Sequence, residues 1–193
     1  RDERIAELRK LFDELFGPYI AKNLEILKPT EPVYSQRIAE ADLLVGAVLV
    51  KGTRAPEVVS ETQVRSMKRG AVIVDISIDQ GGCVWGARAT SHEEPIYDIN
   101  GRIYCCVTNM PGQVARQSTQ ALTSATLPYL LKLANQGVME TMMESLKNGG
   151  RFARGLNTYK GKITYASVAK DLDMEAAYVD AKVSLGAPQA KLL

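Results

Sequence analysis

Residues 43–50 read Leu-Leu-Val-Gly-Ala-Val-Leu-Val, an almost unbroken apolar run opened by Asp42. A strand with one wet face alternates apolar and polar residues, whereas a continuous run of this length fits a parallel strand buried on both faces. A second run, Ala71-Val72-Ile73-Val74-Asp75, follows it. Between them Ser60 is placed to cap a helix running through Met67. Glu61 sits in its first turn and Lys68-Arg69-Gly70 at its end, as the helix dipole favours. Strand, helix and strand in this order imply a right-handed crossover and a doubly wound, parallel α/β sheet. Ligands bind such sheets beyond the carboxyl ends of the strands.

The flanking sequence fits that frame. Ile5, Leu8, Leu11, Phe12, Leu15 and Phe16 recur at helical spacing over 2–16, and Gly17-Pro18 stop the run. Residues 24–27, flanked by Pro29 and Pro32, read as a further strand, and 33–40 as a helix. The apolar stretch 103–107 supplies another strand. Beyond it the pattern turns helical: 114–136 with Pro128 as a kink and Gly137 as a stop, then 139–146, and a short helix near 165–172.

Composition narrows the function classes. Of 193 residues, 46% are hydrophobic and 24% charged, and the formal net charge is +2. So small and dispersed an excess gives no footing for nucleic acid or an anionic membrane, and leaves small metabolites as partners. No apolar run approaches the roughly 18 residues of a membrane span, and Arg1-Asp2-Glu3-Arg4 is too charged for a secretory signal, so a cytoplasmic protein is expected. Cys83, Cys105 and Cys106 form no C-x-x-C and have no histidine at ligand spacing. They read as reduced, packed thiols, and no metal is expected. Met139, Met142, Met143 and Trp85 read as packing residues.

Two strand ends break the pattern of a strand followed promptly by a helix. After 71–75 the chain continues Ile76-Ser77-Ile78-Asp79-Gln80-Gly81-Gly82-Cys83, and after 103–107 it continues Thr108-Asn109-Met110-Pro111-Gly112. A carboxylate beside paired glycines is suited to a site where a ligand approaches the backbone. It is equally suited to capping a tight turn, and the residues alone leave both readings open.

Together with 118–129 (Ser-Thr-Gln-Ala-Leu-Thr-Ser-Ala-Thr-Leu-Pro-Tyr) and 155–161 (Gly-Leu-Asn-Thr-Tyr-Lys-Gly), these segments resemble successive stretches of alanine dehydrogenases, in order, from about Arg4 to about Leu172. The resemblance implies the trailing half of a Rossmann-type sheet plus C-terminal helices. Residues 1–112 would form a partial NAD-binding domain, and 113–193 a helical segment packing on the substrate domain of the complete enzyme. It implies NAD as cofactor, reversible oxidative deamination of L-alanine to pyruvate and ammonium, and a homohexamer. Asp79 matches the family's active-site aspartate, which would assist water attack on an iminium beside a histidine acid/base. Asn109 is the local candidate for touching the keto acid, since an amide both donates and accepts. Val48, Leu49, Ile76, Ser77, Ile78, Asp79, Val107, Thr108, Asn109 and Met110 would line the nicotinamide side, with Arg88 near them and Arg4 near the adenosine ribose. The loop Lys51-Gly52-Thr53-Arg54-Ala55-Pro56 flanks the cofactor in the family and is assigned no chemistry. His92 matches no catalytic position of the family and reads as an exposed loop residue.

The G-x-G-x-x-G turn that holds a pyrophosphate does not occur in the sequence. The chain is therefore expected to act as part of a longer enzyme and to be inactive alone. Two alternatives stay open: a shortened, non-catalytic protein that keeps association surfaces, and another NAD enzyme of the same scaffold such as a transhydrogenase subunit.

Overall fold

The computed structural model describes residues 2–21, 23–28, 30–148 and 152–186. Helix α1 covers Asp2–Ala21, but Gly17, at φ 71 and ψ 168, breaks the helical path where the glycine–proline pair was expected to end it. Residues 24–27 are not a strand. A strand exists only by pairing, and no described segment lies alongside to complete a ladder with them. Helix α2, Glu31–Glu40, starts two residues before the expected point, with a proline in its first turn.

Strand β1 is Leu43–Gly46, half the length of the apolar run. The run leaves the ladder because the Val48 N–H and C=O both turn to the Ser77 hydroxyl, at 2.7 and 2.9 Å. Helix α3, Glu61–Ser66, begins at a complete capping box: Gln63 N–H donates to Ser60 Oγ, and the Gln63 side chain returns to the Ser60 N–H. Strand β2 is Val72–Asp75, β3 is Ile96–Ile99 and β4 is Arg102–Cys105. The order is β1-β2-β4-β3. β1, β2 and β4 are parallel, and β3 returns antiparallel to β4 through Asn100 and Gly101, at φ 53 and 79. This is the expected α/β sheet with an antiparallel hairpin added at one edge.

Burial is one-sided. Ile73, Asp75, Tyr104 and Cys106 on one face are essentially inaccessible, and the apolar three cluster with Ile38 of α2, Val64 of α3 and Met67 just after it. On the other face Leu43 and Val45 remain 58% and 49% exposed. The expectation of burial on both faces is therefore not met among the described residues, which leave Leu43 and Val45 largely uncovered.

A 3-10 turn, Met110–Val114, leads into α4, Ala115–Gln136, which has no buried side chain although Leu122, Leu130 and Leu131 lie along it. Gly137, at φ 81, ends α4, and α5, Val138–Lys147, packs Met142 and Met143 against Ala153 and Leu185. Met139 is half exposed. The hairpin of β5 (Thr158–Tyr159) and β6 (Lys162–Ile163) precedes α6 (Ala166–Asp171) and α7 (Ala181–Ser184). Among the described residues, no helix is long and apolar enough to cross a membrane.

Candidate functional site

The carboxyl end of β2 is organised by Asp75, the last residue of the strand. Its carboxylate is wholly buried and accepts hydrogen bonds from the N–H groups of Ser77 (2.9 Å), Cys83 (2.7 Å) and Val84 (3.0 Å). Three backbone donors aimed at one carboxylate compensate its burial. They also fold the intervening residues into a closed loop, whose first half is the 3-10 turn Ile76–Gln80. Gly82 completes the loop because a Cβ there would lie 3.1 Å from Asp75 Oδ2 and 3.0 Å from the Ala87 Cβ.

That loop sets the neighbouring strand ends in place. Ser77 is buried and exchanges its two hydrogen bonds with Val48, joining the tips of β1 and β2. Asp79 projects from the exposed side of the turn, where its Oδ1 accepts from the Asn109 N–H at 3.4 Å, joining β2 to the segment after β4. Asp79 Oδ2 accepts nothing among the described residues. Asn109 adopts a left-handed conformation, φ 53 and ψ 48, from which Met110 starts the next turn. The segments 48–49, 76–79 and 107–110 thus stand side by side at the ends of three adjacent parallel strands. Leu49 and Ile76 are 65% and 53% exposed there, an apolar rim beside a carboxylate and an amide. Such a rim suits a flat, partly apolar ring.

Arg88 joins this group by another route. Its N–H bonds to the Tyr97 hydroxyl at 2.8 Å and its guanidinium lies 4.1 Å from the centre of the Tyr97 ring. Thr90 bridges in parallel to Val107, bringing the 88–90 segment beside Val107 and Thr108. Arg4 stands apart, on α1, exposed and paired with Glu7 at 2.8 Å. His92 is exposed as expected, and its Nε2 lies 3.2 Å from where a Cβ on Gly112 would stand, next to the Asn109 turn. Burial pushes the Cys83 and Cys106 thiols up, which favours their neutral forms, and all three cysteines are free. No cluster of potential metal ligands occurs among the described residues.

An open cleft of about 660 Å³ borders Asp79. One wall is the 79–81 turn, another the loop 52–54, and the third the end of α6 at Val168, Asp171 and Leu172. In the same wall Gln80 Oε1 is buried and accepts from no donor among the described residues. Asp75, Arg54 and the α6 residues are not among those that the sequence pattern brings forward as site candidates. Asp75 had a signal, an aspartate ending an apolar strand with serine two residues on, the pattern of a side chain turning back to its own backbone.

The model of the family described as "Alanine dehydrogenase/PNT, C-terminal domain" matches residues 1–166. Proteins named alanine dehydrogenase are similar over most of the chain. The one from Halomonas elongata is 40% identical over 96% of it, that from Mycolicibacterium smegmatis 48% over 90%, and that from Bacillus subtilis 44% over 92%. A solved L-alanine dehydrogenase superposes on 90% of the chain with a TM-score of 0.68 and 39% identity. The chain spans 47%, 44% and 44% of the lengths of those three relatives and 44% of the solved one, a little under half in each case. An α/β sheet whose strand ends gather Asp79 and Asn109, matched along its length in these ways, belongs to the alanine dehydrogenase/PNT C-terminal domain family.

Proposed function

We propose that this chain is the nicotinamide-side part of an NAD-dependent L-alanine dehydrogenase, working within a longer polypeptide that interconverts L-alanine with pyruvate and ammonium. The observation that carries the reading is the meeting of Asp79 and Asn109 at 3.4 Å, at the rim of three neighbouring strand ends. Bound NAD would supply the hydride acceptor for the amino-bearing carbon. The chain's own part is to position and to hold protons. Leu49 and Ile76 would cover one side of a bound nicotinamide and keep water from it, and Ser77 fixes the spacing of the strands beneath. Asp79 Oδ2 is open to a substrate proton or to the positive charge that develops on nitrogen. The Asn109 amide orients the keto oxygen, Arg88 sits at the edge of the crevice, and Arg4 serves the ribose end.

In the same reading residues 1–112 complete a nucleotide-binding domain, and 113–193 return to the substrate domain. The parent assembles as a homohexamer in the cytoplasm. The small net charge of +2 fits a small-metabolite substrate.

The test is alanine-dependent NADH formation by the full-length parent, its Asp79→Asn form and the isolated 193-residue chain. The parent is expected to be active, the Asp79→Asn form to be slower by at least ~100-fold, the loss expected of an acid/base partner, and the isolated chain to be silent. A parent that ignores alanine ends the reading.

A further inference from the structure

The cleft beside Asp79 has one wall made by α6, far downstream in the chain, and that wall is tied in place. The Ser167 hydroxyl donates to the Lys51 carbonyl at 3.0 Å, and Asp171 Oδ1 accepts from the Arg54 N–H at 3.2 Å. Ser167 and Asp171 are four residues apart on α6 and so share one face of it. The loop they grip approaches closely because it has glycine at 52: a Cβ there would fall 2.5 Å from Ser167 Oγ and 3.0 Å from Tyr165 Cε1. From the other side the same loop holds the Asp79 turn, since the Ala55 N–H donates to the Gln80 carbonyl at 2.8 Å. A continuous series of hydrogen bonds therefore runs from α6, through residues 51–55, to the residue after Asp79.

We infer that residues 165–171 form a clasp that fixes the attitude of the Asp79 turn, with Ser167 and Asp171 as positioning residues that touch neither substrate nor cofactor. The inference rests on the reading of Asp79 as the working carboxylate. The clasp itself is a matter of geometry and is tested separately. With the 51–55 loop held, the Gln80 carbonyl has a fixed partner and the turn presents Asp79 in one orientation. With the loop released, the turn keeps its Asp75 anchor but loses its outer support. Reacting groups tolerate little misplacement, so that loss falls on the rate.

The experiment has two arms. In the isolated 193-residue chain, amide hydrogen exchange is followed at Ala55, with Ile73 and Tyr104 as internal references for global folding. Asp171→Leu is expected to speed exchange at Ala55 roughly tenfold, the factor matching the net worth of one hydrogen bond, and to leave both references unchanged. Asp171→Asn, which keeps an acceptor oxygen, is expected to restore the slow exchange. Unchanged exchange at Ala55, or failure of Asn to rescue, overturns the clasp whatever the parent turns over. In the full-length parent, Asp171→Leu and Ser167→Ala are expected to lower kcat about tenfold with KM within a factor of two, and Asp171→Asn to recover it. Faster exchange with unaltered kcat overturns the positioning role while leaving the alanine reading intact.

Discussion

Asp75 and Asp79 lie four residues apart and are used in opposite ways. Asp75 is consumed by three backbone amides and cannot serve a substrate. Asp79, held among the described residues by the long contact to Asn109, is exposed to solvent. Replacing Asp75 by alanine strands buried donors, so Asp75→Ala is expected to cost at least ~3 kcal/mol, read as a lower denaturation midpoint. Tyr104 makes a different prediction. Burial pushes its phenol from 10.0 up to about 12, and its hydroxyl donates to the Trp85 carbonyl at 2.7 Å. The fold favours the neutral form, so the stabilisation is complete below pH 10 and is lost as the pH rises to about 12. Burial raises the Tyr97, Cys83 and Cys106 values in the same direction. Urea midpoints measured from pH 9 to 12 should fall steadily, and less steeply in Tyr104→Phe. At this scale the sequence exposed Asp79 and Asn109 as residues that interrupt a pattern. It hid the partner of each, because a hydrogen bond across 30 positions leaves no local trace.

Elements were legible where a local rule sufficed. The Ser60 cap, the Gly17 break and the Gly137 stop all stand where their residue types put them. The β3–β4 hairpin also had a local signal in Asn100-Gly101, the pair most suited to a two-residue turn, which the sequence reading passed over. The length of β1 and the fate of 24–27 were not readable, since a ladder depends on what lies alongside. The Ser77–Val48 exchange yields a test at this level. Ser77→Ala removes one donor and one acceptor between two strand tips, and is expected to destabilise by about 1–3 kcal/mol. Faster amide exchange at Val48 should accompany the loss.

Across the whole molecule, the open sheet face at Leu43 and Val45 and the unburied Leu122, Leu130 and Leu131 of α4 present apolar surface to water. Surfaces of this kind mark sites of association. The isolated chain is therefore expected to bind a hydrophobic dye strongly, and Val45→Ser is expected to reduce that signal. A signal no larger than that of an ordinary compact domain would mean that these side chains are covered in solution. The clasp also has a kinetic side. Its two hydrogen bonds join residues 116 and 117 positions apart, whereas Ser77, Cys83 and Val84 reach Asp75 across two to nine. Closing a long loop costs more chain entropy than closing a short one, and contacts between distant positions form slowly. A refolding chain should therefore build the Asp79 turn early and acquire the third wall of its cleft last, passing through a species in which the carboxylate is already placed but not yet held.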